Sequence, residues 1–318
     1  MNRLAILTSG GDAPGMNAVI RAVVKAAEHH QLSVFGVQNG YEGLINGDFY
    51  ELIYEKVENI ASKGGTILKT SRSAAFMTEE GRQQAVHQLR EQKINAVIVV
   101  GGEGSFKGAQ KLQQLGVPVA AIPGTIDNDL AYTEYSIGFD TTLNTVLDCV
   151  RKIKDSGCSH NKTTIVEVMG RYCGDLALHS VLAGEGEIIS IPEYKLSFDD
   201  ICRQLKKKVQ DGKSDNLILV TERMYDLQEL QRYIEENMQI STRTTVLGFV
   251  QRGGEPSAFD RVLAAKMGVE AVRLLINHQS GVAIGIQNNR IMHVSLAELD
   301  EKTADKSANE SLLHVLLS

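Results

Sequence analysis

Leu4-Ala5-Ile6-Leu7-Thr8-Ser9-Gly10-Gly11-Asp12-Ala13-Pro14-Gly15-Met16-Asn17 decides the fold. An apolar run stops at a polar, glycine-rich turn, and Met16–His29 follows with helical period, so the stretch reads as strand, tight turn, helix. The same unit recurs outward along the chain. Leu4–Thr8, Ser33–Val37, Ala96–Val100, Val117–Ile122, Thr164–Val168, Ile188–Ile191, Leu217–Val220 and Thr245–Phe249 read as strands. Met16–His29, Phe106–Leu115, Thr141–Lys154, Phe198–Asp211, Leu227–Glu236 and Ala258–Ile276 read as helices. The strands are continuous apolar runs, as strands buried on both faces must be, and they alternate with helices. That pattern predicts an α/β fold with mostly parallel sheets covered by helices on both sides.

The 318 residues suffice for one large domain or two ordinary ones. A hydrophobic fraction of 43% and a charged fraction of 23% exclude a disordered chain. The net charge of −6 argues against a nucleic-acid or membrane-surface protein, so anionic ligands must be held by local basic clusters. No segment approaches the roughly 18 apolar residues of a membrane span, and the N-terminal apolar run is too short for a signal peptide. The four cysteines, Cys149, Cys158, Cys173 and Cys202, form no C-x-x-C pair. Free thiols in a reducing compartment are expected, which places the chain in the cytoplasm.

Five strand-like runs end in glycine or polar residues: Thr8–Asp12, Gly101–Ser105, Pro123–Asp129, Met169–Arg171 and Thr221–Arg223. Ligands of open α/β sheets bind beyond the carboxyl ends of the strands. Gly10–Asn17 suits a phosphate at a helix start, although it is neither a Walker A loop nor G-x-G-x-x-G and reads equally as an ordinary tight turn. Gly101-Gly102-Glu103-Gly104-Ser105 sets three glycines in four positions around one acid. A plain turn would explain it, but phosphate binding explains it better, with Glu103 placed to hold Mg²⁺ directly or through water. Gly124-Thr125-Ile126-Asp127-Asn128-Asp129 spaces two carboxylates so that they face the same way if extended, able to divide the work of base and metal support. The alternative there is an Asx-turn with solvated acids. Arg171 and Arg243, with Gln251-Arg252-Gly253-Gly254, add cations suited to a phosphate, each of which is by itself an ordinary surface arginine.

Leu7–Asn17, Pro123–Asp129, Val166–Asp175 and Val246–Gly254 together resemble the bacterial ATP-dependent 6-phosphofructokinases, in order and spacing as well as in wording. The resemblance runs from the first strand to about Asn288, and the tail from His293 is only weakly similar. It implies two three-layer α/β domains with the active site between them, in a homotetramer. Residues 1–138 plus 251–301 would bind ATP, and 139–250 plus 302–318 fructose 6-phosphate. By position, Gly11, Arg72, Ser73, Gly102, Glu103, Gly104 and Ser105 would line the ATP site, with Mg²⁺ on Glu103. Thr125, Asp127, Met169, Gly170, Arg171, Glu222, Phe249 and Arg252 would meet the sugar phosphate, with Lys162 and Arg243 reaching in from a neighbouring subunit. Asp127 would be the base, assisted by Thr125, Asp129 and Arg171. Arg21, Lys25, Lys154, Glu185, Glu187 and Lys213 would form an effector site.

The chain departs from that family's usual pattern. Glu103 stands where Asp is usual, Lys162 where Arg is, and Phe249 where His is. In the effector site Lys25 and Lys154 replace arginine, while Tyr54, Asp211 and Asp215 replace basic residues. The expected activity is ATP-driven phosphorylation of fructose 6-phosphate at its 1-hydroxyl. Two rivals follow from the same residues: a pyrophosphate-dependent enzyme, and a weakly catalytic, sugar-phosphate-binding regulatory subunit. Gly104 and Gly124 match the ATP users, whose pyrophosphate-dependent relatives carry Asp and Lys there.

Overall fold

The computed structural model describes residues 1–213, 215–301, 312 and 315. In chain order the elements are β1 (Arg3–Thr8), α1 (Met16–His29), β2 (Ser33–Val37), α2 (Gly40–Asn46), β3 (Phe49–Leu52), α3 (Tyr54–Val57), α4 (Glu79–Glu91), β4 (Ala96–Gly101), α5 (Glu103–Gln114), β5 (Val119–Pro123), α6 (Phe139–Ser159), β6 (Thr163–Val168), α7 (Asp175–Leu182), β7 (Ile188–Ser190), α8 (Phe198–Gln210), β8 (Leu217–Thr221), α9 (Leu227–Met238), β9 (Thr242–Val246), α10 (Ala258–Ile276), β10 (Val282–Gln287) and β11 (Arg290–Ser295). The elements read from the sequence have counterparts here, and β3, β10, β11, α2, α3, α4 and α7 are added to them.

The described chain divides into two compact units. The first comprises 1–126, 130–141 and the described residues from 252 to 301. Its seven-stranded sheet has the order β11-β10-β5-β4-β1-β2-β3. The inner strands are parallel, while β3 and β11 close the edges antiparallel. Ala5, Leu7, Val97, Val99, Val119 and Ala121 point into one core with Phe106 and Leu112 of α5. The alternate residues Leu4, Ile6, Ile98 and Val100 are equally buried, which is why no polar alternation interrupts these strands. On α10, a Cβ at Gly268 would meet the Val19 carbonyl oxygen and the Ala22 Cβ of α1.

The second unit contains 127–129 and 142–251. Its four strands are all parallel, in the order β7-β8-β6-β9. Ile165, Ile188, Ile218 and Val220 pack with Ile201 and Leu205 of α8 and Leu230 and Ile234 of α9.

Two expectations need correction. The strand read at Thr245–Phe249 lies three residues earlier, as β9, and Gly248–Arg252 is instead a 3-10 turn that Gly248 enters at φ +58°. Glu103–Ser105 is no loop but the first turn of α5, with Gly102 as its N-cap. The tail assigned to 302–318 falls outside the described residues, apart from 312 and 315.

Candidate active site

In the first unit the turn after β1 is held open by glycine. Gly10 sits at φ +87° and Gly15, the N-cap of α1, at φ +108°. A Cβ at Gly11 would run into the Arg252 guanidinium. That guanidinium ends a flexible side chain, so packing alone does not demand glycine at Gly11. Asn17, buried at the start of α1, staples the following loop: its Nδ2 donates to the Lys63 and Gly64 carbonyls at 3.0 and 3.1 Å, and its Oδ1 accepts from Ile67 N at 2.8 Å. The Thr70 hydroxyl donates to the Gly10 carbonyl at 2.7 Å. These bonds tie the segment 63–70, which leads into Arg72 and Ser73, to the Gly10–Gly15 turn and the start of α1. The Ser73 hydroxyl accepts from Phe76 N at 3.1 Å, which shapes the turn that follows.

Gly101 would have no room for a Cβ against Ser105 and the Ser9 carbonyl, whereas a Cβ at Gly104 would meet nothing. Gly102 lies opposite Thr125, whose side chain would stand 3.5 Å from a Cβ there. The Ser105 and Phe106 N–H groups turn back onto the Gly102 carbonyl, and a side chain at Gly104 would have open space, at the kind of helix N-terminus that can receive anions. Glu103 is exposed in that first turn and pairs with Lys107 Nζ one turn along α5. An acid in the first turn also complements the helix dipole.

Among the described residues no three His, Cys, Asp or Glu side chains cluster as metal ligands. A single exposed carboxylate at a helix start still fits Mg²⁺. That ion keeps several waters and is commonly held by one or two carboxylates plus substrate phosphates, not by an all-protein cage.

Gly124 closes onto β4, its N–H donating to the Gly101 carbonyl at 2.9 Å, and a Cβ there would stand 2.9 Å from Val100. The Thr125 carbonyl accepts from the Ser136 hydroxyl at 2.7 Å. The chain then passes to Asp127–Asp129. The extended geometry expected there is not found: Asn128 takes φ +53°, so strand alternation does not set the two carboxylates. Asn128 is buried and donates from Nδ2 to Asp175 Oδ2, at the start of α7, at 3.0 Å. One oxygen each of Asp127 and Asp129 is shielded from solvent.

At the carboxyl ends of β6 and β8 two turns meet. Gly170 takes φ +137°, where a Cβ would collide with the Cys173 carbonyl, and Arg171 follows at φ +58°. The Arg171 N–H donates to Glu222 Oε1 at 3.1 Å, and the Glu222 N–H to the Val168 carbonyl at 2.8 Å. Burial pushes the Glu167 carboxyl up, and the nearby Glu222 carboxylate adds to it. Gln251 was not singled out by the sequence, yet it is fully buried. Its Oε1 accepts from Met169 N at 3.0 Å, its Nε2 donates to the Gly248 carbonyl at 3.0 Å, and its carbonyl accepts from the Thr142 hydroxyl at 2.8 Å. Its place in the Gln251-Arg252-Gly253-Gly254 string was the available signal. Arg252, in the first unit, donates from Nη1 to the Asp12 carbonyl at 3.4 Å and has a buried Nε with no hydrogen-bond partner among the described residues.

Lys162 and Arg243 lie elsewhere. Lys162 immediately precedes β6, and Arg243 pairs with Thr164 at the beginning of β9. Arg171 lies beyond the other end of β6. The six residues of β6 separate the two ends, roughly 20 Å at 3.3 Å per residue. Phe249 is 83% exposed in the 3-10 turn after β9.

The effector candidates fall into two groups. In the first unit Arg21 Nη2 donates to the Tyr54 hydroxyl at 2.8 Å, and Lys25 Nζ sits 4.2 Å from the centre of the same ring. In the second unit Lys154 lies 3.3 Å from Glu187 and 3.9 Å from Glu185, with Lys213 4.0 Å from Glu187.

Comparison with known proteins places these sites in context. The family pattern named Phosphofructokinase matches residues 3–275. The chain is 50% identical over 298 residues to a protein of Alkaliphilus metalliredigens named ATP-dependent 6-phosphofructokinase, covering 94% of this chain and 93% of that one. A protein of the same name from Clostridium botulinum is 49% identical over the same length. Among solved structures, phosphofructokinase from Saccharomyces cerevisiae superposes with a TM-score of 0.88 at 33% identity. This chain is covered in full there but spans only 48% of the yeast chain. A pyrophosphate-dependent phosphofructokinase from Marinobacter aquaeolei, at 20% identity and a TM-score of 0.85, shares the fold.

Proposed function

This chain belongs to the phosphofructokinase family, and from that premise we propose how its residues carry the reaction. The reaction is transfer of the terminal phosphoryl group of ATP to the 1-hydroxyl of fructose 6-phosphate, giving fructose 1,6-bisphosphate and ADP, a step of glycolysis. The observation that carries this reading is identity at half of all positions, over nearly the whole chain, to relatives named for that activity.

ATP lies on the turns of the first unit, with its phosphates toward Gly11 and the helix start at Gly102–Ser105. Asp127 accepts the proton of the 1-hydroxyl as that oxygen bonds to the γ-phosphorus and the bond to ADP breaks. Arg171 and Arg252 neutralise phosphate charge, and Glu222, which already orients the Arg171 turn, accepts from the sugar. Gln251 and Asn128 set the backbone from which Met169 and Asp127 project. Glu103 would hold a divalent metal riding on the nucleotide, which when bound supplies charge neutralisation on the β- and γ-phosphates. No helix among the described residues is long and apolar enough to cross a membrane, and we place the enzyme in the cytoplasm, as a homotetramer.

A coupled assay with ATP or pyrophosphate as donor tests the reading. Turnover with ATP and none with pyrophosphate is expected, and turnover only with pyrophosphate would overturn it. Gly104→Asp sharpens the test. A side chain there meets open space, so the fold tolerates it, while a carboxylate beside the nucleotide phosphates should raise KM for ATP about tenfold or more.

Glu103→Asp is expected to raise kcat. The extra methylene of glutamate moves the carboxylate by about 1.5 Å, and a misplacement of that size can cost about 10²-fold in rate. Glu103 is also claimed by Lys107. Steady-state kcat at saturating Mg²⁺ decides, and a further fall would mean that the helix start is adapted to glutamate.

Regulation should be weak. Tyr54 holds Arg21 and Lys25, and Glu187 lies against Lys154 and Lys213, so an anionic effector must displace existing partners. We expect millimolar phosphoenolpyruvate to move the fructose 6-phosphate saturation curve by less than about twofold, since an effector shifts an equilibrium only by its differential affinity. A large rightward shift, abolished by Arg21→Ala, would show a working effector site.

A further inference from the structure

Tyr172 is 71% exposed, a poor place for a large ring. Two guanidinium groups nevertheless sit against it. Arg171 Cζ is 5.4 Å from the ring centre and Arg223 Cζ is 5.8 Å from it, both within cation–π range. The arginines come from different turns, at the carboxyl ends of β6 and β8, which pair in parallel at Val168 and Thr221. Both take left-handed backbone, Arg171 at φ +58° and Arg223 at φ +69°. A non-glycine residue held there is strained, and such strain persists only where the surroundings impose it. The two turns are joined twice: by the Arg171 N–H on Glu222 Oε1, at 3.1 Å, and by the shared ring. The sequence placed Arg223 only within the polar strand end Thr221–Arg223 and Tyr172 only within the Val166–Asp175 string, with a role for neither.

Two like charges on one exposed ring repel each other unless an anion is near, so the arrangement suits a phosphate-facing turn. We propose that Arg223 is a positioning residue for phosphoryl transfer. Acting through the Tyr172 ring, it holds the Arg171 guanidinium in the orientation that meets the substrate's phosphate. This rests on the role given to Arg171 above. Arg223 does not touch the substrate, and its contribution passes through the ring and Arg171.

Steady-state kinetics on the full-length enzyme, with each substrate varied in turn, test the proposal. Arg223→Ala should lower kcat/KM for fructose 6-phosphate at least threefold, while KM for ATP and the melting temperature stay within error. Tyr172→Ala should reproduce that loss, and Tyr172→Phe, which keeps the ring, should recover most of it. In an Arg171→Ala background, removal of Arg223 should add nothing. Multiplying effects there would overturn the positioning role, since Arg223 would then act on substrate independently. If Arg171→Ala is damaging but Arg223→Ala and Tyr172→Ala are not, this inference fails while the assigned role of Arg171 stands. If Arg171→Ala is itself harmless, that assignment fails first and this inference with it.

Discussion

Asp127→Ser is expected to lower kcat by about 10²–10⁴-fold while leaving affinity for fructose 6-phosphate nearly unchanged. The sugar hydroxyl is a poor nucleophile until a base takes its proton, and Asp127 is the carboxylate to which that task is assigned. Its loop is over-determined from both sides. Upstream, Gly124 is locked to β4 through the Gly101 carbonyl. Downstream, Asn128 is buried at φ +53° and tied to Asp175 at 3.0 Å. Serine is smaller, needs no unusual backbone and leaves Asn128 in place, so the variant should lose the base without losing the loop. Calorimetric titration with fructose 6-phosphate checks binding, and a coupled assay checks turnover. A variant with near-normal kcat would remove Asp127 from the proton transfer. A variant that binds no sugar phosphate would show the carboxylate to be a binding group first.

The sheets were legible because burial on both faces writes itself as an unbroken apolar run. Leu4–Leu7 and Val97–Val100 have no polar position because no face meets water. Three strands lay outside that reading: β3 and β11 are partly exposed edges without such a run, whereas β10 (Val282–Gln287) is mostly buried but its apolar run is broken by Gly285. Glycine misled at Gly101–Ser105. Three glycines read as a loop, but Gly101 answers to the Ser105 side chain and the Ser9 carbonyl, while Gly104 sits in a helix turn with open space around it. Asn128 misled in the opposite direction. No residue within three positions of it is a glycine, so nothing announced a left-handed backbone that asparagine tolerates better than most.

The buried polar residues were the least legible part of the site. Gln251 and Asn17 look like surface residues by type, since glutamine and asparagine are mostly exposed. Each instead satisfies several backbone groups that would otherwise be stranded, and burial without those bonds would be costly. Such a role depends on which loops the fold brings together. For Asn17 that partner is Lys63–Ile67, and for Gln251 it is Met169. Spacing along the chain carries no trace of either pairing.

Arg243→Ser is expected to raise KM for fructose 6-phosphate about 10- to 100-fold, with little change in KM for ATP, because a charge-assisted hydrogen bond is worth about 1.5–3 kcal/mol. The residue cannot exert that effect on its own subunit's Arg171 turn. Arg243 pairs with Thr164 at the beginning of β6, and the Arg171–Glu222 turn lies past the opposite end of the same parallel sheet. At 3.3 Å per residue the six residues of β6 span roughly 20 Å, far beyond the reach of an arginine side chain. Lys162 shares that beginning. Both cations must therefore serve a neighbour's sugar phosphate, or serve none. Mixing decides between these. An Asp127→Ser subunit supplies an intact Arg243, and an Arg243→Ser subunit an intact Asp127. If sites are shared across an interface, random reassembly of equal amounts rebuilds roughly one intact site in four. At low fructose 6-phosphate the mixture should then far exceed the summed activities of the two parents. If each site is made by a single chain, the mixture shows only the average of its parents, and the shared-site proposal is lost.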